Sequence, residues 1–395
     1  MPASKLTQSL LLPELKFIKV THRADSTTIM WVEKVSDAEV CPRCATLSQA
    51  VYDRRWVTVK DAPIRGGQTL MRILKRRFVC KPCGKPFTEP VQGVSVRARC
   101  TERYKLALMR ACQDYTNLAQ VKRVYRCSSG FLYKTFYRML ELERRKRQNP
   151  WPKVLGIDEH SFKRNKKLGC TEFATVVVDY KARRIREVVQ GKSGAALRMS
   201  LGHIQGRENV RHVVMDMCDP FKNFVREFFP QAQIVADKFH VLRLLNPALN
   251  AERKRITGDR RSLPVRRMLL RNGYKLDPIQ RFRLHRWLEE HPTLREVYTY
   301  KEALHRLYRI KGAHKAATAL TRLTDAMARS EVPAVRTLRR TLMRWRVEIL
   351  NYFETRLTNG RTEGFNNLAK LVKRRAYGYR SFENYRLRLL NACAA

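Results

Sequence analysis

Val154-Leu155-Gly156-Ile157-Asp158 is an apolar run closed by a carboxylate, and the pattern returns twice downstream. Val210-Arg211-His212-Val213-Val214-Met215-Asp216 and Gln233-Ile234-Val235-Ala236-Asp237 have the same form. Runs of this length, rich in Val and Ile and bounded by turn residues, predict buried strands. Cys170 to Tyr180 and Arg184 to Gln190 read as a hairpin after the first run, and Ala195 to Ile204 as a helix. Asp219-Pro220 is expected to open another helix, with Asp219 as its N-cap and Pro220 at the first helical position. Phe221, Phe224, Val225 and Phe228 are spaced along that helix to face a core.

A fourth acid lies far downstream, in Glu363-Gly364-Phe365-Asn366-Asn367-Leu368-Ala369-Lys370-Leu371-Val372-Lys373-Arg374-Arg375. On a helical wheel Glu363, Asn366, Asn367, Lys370 and Arg374 share one face. Phe365, Leu368, Ala369 and Val372 are expected to fill the opposite, buried one. Glu363 therefore leads a basic stripe, with Lys373 beside it, which suits a metal-binding acid whose neighbours hold a phosphate strand. Carboxylates drawn from separate elements are what a pair of divalent ions requires for phosphoryl transfer. Acids at strand ends also serve as helix caps and turn formers, so no single one of them decides the matter.

Upstream, Cys41-Pro42-Arg43-Cys44 and Cys80-Lys81-Pro82-Cys83-Gly84 form two knuckles. A two-residue spacing lets both thiolates of each pair face one tetrahedral ion, here zinc in a structural role, since four sulfurs leave no open position. Unliganded cysteines or a redox pair are the alternative. Strand-like segments such as Met71 to Val79 lie between the knuckles, and Phe17 to Val20 and Thr28 to Val32 lie before them. Glu102 to Tyr115, capped by Thr101, Asn117 to Tyr125 and Ser129 to Glu143 then predict three helices with a turn at Arg126-Cys127-Ser128. Leu118, Val121 and Val124 should bury on the second helix, and Leu132, Phe136, Met139 and Leu140 on the third. Lys134, Thr135 and Arg138 then face outward, as on the recognition helix of a helix-turn-helix; an ordinary helical hairpin has the same pattern. A charged run, Glu143 to Arg147, and the linker Asn149-Pro150-Trp151-Pro152 follow.

The charge balance points the same way. The 395 residues carry 81 Lys and Arg against 35 Asp and Glu, a net charge of +46. Self-repulsion of that size calls for a polyanionic partner, and a basic ribosomal protein would not carry these motifs. No run approaches the roughly 18 apolar residues of a membrane span. Met1 to Val20 shows no cleavable signal, and ten cysteines are too sparse for a disulfide framework. The expected compartment is a reducing cytoplasm.

Taken in order, the two knuckles, the three helices, Gly156-Ile157-Asp158-Glu159, Asp237-Lys238-Phe239-His240, Thr362 to Lys370 and Ala376-Tyr377-Gly378-Tyr379 resemble the ISL-three family of insertion-sequence transposases. The match runs from about Cys41 to the C-terminus. It implies a multidomain chain: a small β-rich zinc ribbon over 1–98, an all-α helix-turn-helix and linker over 99–150, and an α/β catalytic domain of RNase H-like fold over 151–395. A large helical insertion from about 241 to 357 separates the last acid from the others. The resemblance implies Mg²⁺ (or Mn²⁺) chemistry by an Asp-Asp-Glu triad, acting on double-stranded DNA at transposon ends and target, in a homodimer or larger complex at the bacterial nucleoid. On strand order the triad maps to Asp158, Asp216 and Glu363, with Asp237 the alternative second acid. Lys134 and Arg138 would read bases, and Lys370, Lys373 and Arg374 would hold phosphates. A catalytically idle DNA-binding regulator would share every binding feature. Trp287 and Trp345, in the insertion, read as core rather than as base-stacking residues, and His240 as a hydrogen-bonded histidine.

Overall fold

The computed structural model describes residues 10–114, 117–146, 149–165, 169–258 and 264–392. Tyr115 and Arg147, the expected ends of the first helix and of the charged run, lie outside them. The chain divides into two compact units, Met1–Glu143 with Arg375–Gly378, and Arg144–Arg374 with Tyr379–Ala395.

The first unit is built on a five-stranded sheet. Strands β1 (Leu15–His22), β2 (Thr28–Lys34), β6 (Gly67–Val79) and β5 (Val51–Ile64) lie side by side in that order, and β7 (Pro86–Thr88) pairs with β6. A two-stranded ladder, β3 (Glu39–Val40) and β4 (Leu47–Ser48), carries the first knuckle. The long β5–β6 hairpin turns at Arg65-Gly66, both with positive φ, the backbone that matches strand twist in a two-residue turn. Period-two alternation sends Met71 and Ile73 of β6 into a core with Met30, Val32 and Val59.

Among the described residues three helices follow the sheet, α1 (Glu102–Asp114), α2 (Leu118–Val124) and α3 (Ser129–Lys146), the last running past Glu143. The Thr101 hydroxyl accepts the Tyr104 N–H at the start of α1 and donates to Asp61 of β5, a buried carboxylate also held by Arg103. The Asn117 side chain caps α2. Val121, Leu132, Phe136 and Leu140 are buried, Met139 is half-buried, and Val124 is 46% exposed rather than buried. The seven-residue α2 offers only one turn to the core, and Val121 alone fills it.

The second unit holds the expected strands. Its sheet runs β10 (Arg184–Gln190), β9 (Cys170–Asp179), β8 (Val154–Asn165), β11 (His212–Met215), β12 (Gln233–Ala236). The first three are antiparallel neighbours, whereas β8, β11 and β12 are parallel. Helices α4 (Gly194–Leu201) and α5 (Asp219–Phe228) pack together, and α5 buries Phe221, Phe224, Val225 and Phe228. Cys218, not Asp219, is the N-cap of α5. Asp219 is already helical, and its carboxylate pairs with Arg344, which competes with the capping geometry.

Among the described residues, eight α-helices lie between β12 and the Glu363 helix: α6 (Lys238–Arg243), α7 (Asn246–Thr257), α8 (Pro264–Leu270), α9 (Pro278–Glu289), α10 (Pro292–Leu307), α11 (Ala313–Ala328), α12 (Pro333–Arg344) and α13 (Arg346–Thr355). Proline in the first turn pre-sets φ and forfeits no hydrogen bond, and α7, α9, α10 and α12 all begin that way. The last of the eight returns to the sheet, where Asn351 Nδ2 donates to the Ile234 carbonyl of β12 at 2.8 Å. The chain closes with α14 (Gly360–Arg375) and α15 (Phe382–Ala392), the latter against β10. Trp345 is 3% exposed, with the Lys222 ammonium 4.4 Å from its ring, and Trp287 is half-buried beside His291. No helix among the described residues is long and apolar enough to cross a membrane.

Candidate active site

The cysteine quartet assembles. One sulfur each from Cys41, Cys44, Cys80 and Cys83 lies within 4.8 Å of the other three. Both knuckles use the same turn: the Ala45 N–H donates to the Cys41 carbonyl, and the Gly84 N–H to the Cys80 carbonyl. Each of those fifth residues has positive φ, 58° at Ala45 and 64° at Gly84. Glycine takes that conformation without strain; alanine takes it at a cost that a held knuckle must offset. Four thiolates converging from two matched turns fit a tetrahedral Zn²⁺ and leave no room for a substrate.

The acids meet across the second sheet. Met215 of β11 pairs with Ile157 of β8 on one side and with Ala236 of β12 on the other. The next residues along the three strands are Asp158, Asp216 and Asp237, so the three carboxylates stand level at one edge of three adjacent parallel strands. Asp216 and Asp237 share His240, whose Nδ1 lies 2.8 Å from Asp216 Oδ1 and 2.9 Å from Asp237 Oδ2. Those two hydrogen bonds raise the His240 pKa to about 10. Asp237 is nearly sealed and its oxygens are occupied: Oδ2 accepts the His240 N–H, capping α6, and Oδ1 accepts the Asn359 N–H at 2.9 Å. The Asp216 side chain keeps 19% of its surface exposed.

Asp158 is held differently. Its Oδ1 accepts the Glu159 N–H at 2.8 Å, and its Oδ2 accepts Asn366 Nδ2 at 2.7 Å. Because Asn366 donates there, its Oδ1 must accept from His160 Nδ1, 3.1 Å away. The opposite ring nitrogen, Nε2, then accepts the Tyr385 hydroxyl at 2.6 Å. Tyr385, His160, Asn366 and Asp158 thus form one directed, buried chain that fixes the carboxylate. Burial, and then the charge of Asp216, push the Asp158 pKa up to about 7. The His240 ring lies against Asp216, and the carboxylate oxygens of Asp158 and Asp216 are a donor set that suits a hard divalent cation.

Glu363 lies exposed in the first turn of α14. Residues around it reach the acids: Asn359, just before α14, has its Nδ2 3.4 Å from Asp216 Oδ1, and Asn366 of α14 bonds Asp158. The buried residues of α14 are Thr362, Asn366, Ala369 and Val372, with Phe365 and Leu368 only half-buried. Asn366 therefore belongs to the packed face, not to the polar stripe, because its amide has buried partners. Gly156 permits this approach; a Cβ there would stand 2.2 Å from the Thr362 hydroxyl oxygen. Lys373 is half-buried, and its ammonium donates to the Ser161 carbonyl at 2.6 Å, tying α14 to β8. Lys370 and Arg374 are exposed, as are Lys134 and Arg138 on α3.

Sequence reasoning missed Asn359, His160 and Tyr385 and misplaced Asn366. One signal was present: Asp158 and His160 are two apart on a strand and so share a face. Nothing local marks Tyr385, which is 225 residues from its partner.

A family model described as a transposase matches residues 155–389. A second, described as the zinc-finger of transposase IS204/IS1001/IS1096/IS1165, matches residues 37–83. The chain is 26% identical over 382 residues to the transposase for insertion sequence element IS1001 of Bordetella parapertussis, covering 92% of this chain and 91% of that protein. It is 28% identical over 259 residues to the transposase for insertion sequence element IS1557 of Mycobacterium tuberculosis, covering 58% of this chain and 57% of that protein.

Proposed function

Because the chain belongs to the ISL3 family of insertion-sequence transposases, we propose that it binds the ends of its element and catalyses metal-dependent cleavage and transfer of DNA strands. The observation that carries this reading is the level row of Asp158, Asp216 and Asp237, with α14 pinned beside it. A sheet of three antiparallel strands followed by two parallel ones, in the order β10-β9-β8-β11-β12, supports an RNase H-like catalytic domain.

The triad in this reading is Asp158, Asp216 and Glu363. Asp237 serves as the helix cap that holds His240 and Asn359 in place, since both its oxygens are already engaged. When bound by the triad, Mg²⁺ or Mn²⁺ would supply activation of the attacking oxygen and stabilisation of the leaving one. The protein's own part is geometric. The Tyr385–His160–Asn366 chain orients Asp158, Asn359 orients Asp216, and Lys370 and Arg374 beside Glu363 meet phosphates. The first unit is the end reader in this reading, with a zinc-held ribbon and a helix-turn-helix whose α3 presents Lys134 and Arg138. The active form pairs two element ends in a homodimer or larger assembly at the nucleoid in the cytoplasm.

The test is nicking of a supercoiled plasmid carrying the DNA that flanks the reading frame. Asp158→Asn, Asp216→Asn and Glu363→Gln should each abolish metal-dependent nicking while end binding persists. Asp237→Asn keeps the side chain's shape and one acceptor oxygen, turns an NH2 toward the other N–H donor, and should keep measurable nicking. The reverse pattern for Asp216 and Asp237 would show that the second acid is Asp237. End binding by the parent chain without any nicking would make it an idle regulator.

A further inference from the structure

Behind α6, the second unit holds a cavity of about 320 Å³. The helix has two sides with different tasks. Asp237 at its cap and His240 face the acids, while Lys238, Phe239, Leu242 and Arg243 line the cavity. We propose that this cavity receives an unpaired DNA nucleotide from the strand being processed, its base stacked on Phe239 or Tyr274 and its phosphate met by the surrounding cations. The proposal rests on the reading that the neighbouring carboxylates are where DNA is cut.

Three features support it. Phe239 is 40% and Tyr274 55% exposed, so two aromatic rings are left unburied at the cavity although the adjoining core is closely packed. Every base has a π-face, and aromatic platforms of this kind hold single strands without regard to sequence. The charge is one-sided: Lys238, Arg243, Lys275 and Arg309 line the cavity, and no carboxylate does. Among the described residues none of the four makes an ion pair, and the Arg309 guanidinium already lies over the Tyr274 ring at 3.9 Å. Such a cluster repels itself until an anion arrives. The wall also carries an unmet polar group, the buried Tyr308 hydroxyl, which has no hydrogen-bond partner among the described residues.

Size and distance agree. The cavity lies at the lower end of the range for small-molecule sites, about 300–1,000 Å³, where one nucleoside fits and a duplex does not. One helix width, about 10 Å, separates it from the acids.

The experiment compares a blunt duplex with the same duplex carrying a short oligothymidine 3′ overhang, each bound to the full chain in Ca²⁺ and followed by fluorescence anisotropy. The parent should prefer the overhang. Phe239→Ala and Tyr274→Ala should weaken overhang binding by about 5- to 150-fold, equivalent to about 1–3 kcal/mol at 1.4 kcal/mol per decade, and leave blunt-duplex binding unchanged. Tyr274→Phe keeps the ring and should keep the preference, which separates loss of stacking from loss of folding. Absence of the preference in the parent, or its survival in both alanine variants, overturns the proposal. Nicking in Mg²⁺ is scored separately: nicking without overhang preference sinks the pocket alone, and overhang preference without nicking sinks the cleavage reading on which it rests.

Discussion

Gly156 lies two residues before Asp158, where α14 crosses the sheet. In Gly156→Ala the new methyl would stand 2.2 Å from the Thr362 hydroxyl oxygen and 2.6 Å from Cε2 of Tyr180. Approaches under 3.0 Å are essentially never seen for a Cβ, so both must yield, Thr362 by about an ångström. Neither can turn into solvent, because Thr362 is fully buried and Tyr180 is 6% exposed. Overpacking of this kind costs about 1–3 kcal/mol. Reduced freedom of the unfolded chain offsets about 0.4–1 kcal/mol of that. The net loss of up to about 2.6 kcal/mol should lower the melting temperature of this unit by up to about 10 °C. Catalysis should suffer more than stability. A shift of α14 by about 1 Å carries Glu363 and Asn366 away from Asp158, and misplacement on that scale costs about a hundredfold in rate. Plasmid nicking measured beside a thermal melt followed by circular dichroism reads both. Combining Gly156→Ala with Thr362→Ala should restore part of the loss, because the nearest oxygen is gone, while Tyr180 keeps the rest. If Gly156→Ala melts normally and nicks within about threefold of the parent, α14 yields freely and the close approach does not position the site.

Three further outcomes are expected. Asn366→Ala leaves Asp158 Oδ2 without its donor and His160 Nδ1 without its acceptor in a buried site, which should cost about 1–3 kcal/mol and slow nicking at least about tenfold, with end binding by gel shift unchanged. One zinc should be found per chain, and Cys80→Ser should loosen the first unit, since metal binding there is part of the folding free energy; elemental analysis showing no zinc in freshly purified, DNA-binding protein would refute this. Lys134→Ala with Arg138→Ala should erode the preference for element ends over random DNA by about 1–3 kcal/mol for each bidentate base pairing removed. Lys370→Ala with Arg374→Ala should weaken binding to all DNA and reduce its salt slope by about one for each phosphate no longer neutralised. Competition binding across several salt concentrations separates the two pairs, and identical behaviour would mean that α3 does not read sequence.

Much of this molecule is legible in local pattern alone. The two knuckles, the apolar runs of β8, β11 and β12, the aromatic face of α5 and the Thr101 cap all stand where that pattern puts them. Misreadings occur where a tertiary partner overrides it. Asp219 looks like an N-cap but is already helical, and its carboxylate pairs with Arg344, 125 residues on. Asn366 looks solvent-facing on a wheel because its partners are not on the wheel.

The sequence by itself determined the elements and the residue types available for chemistry, because a period of two, a period of 3.6 and a Cys-x-x-Cys spacing are each complete within a few residues. Only the tertiary structure decided how the acids are used. The level row of Asp158, Asp216 and Asp237 depends on the register of three parallel strands, and register is set by pairing across gaps of tens of residues. Asp216 was left partly open and Asp237 sealed because Asn359, which follows eight intervening helices, returns to donate its N–H to Asp237. A free energy of that kind belongs to the packed arrangement of distant segments, and no window of the chain contains it.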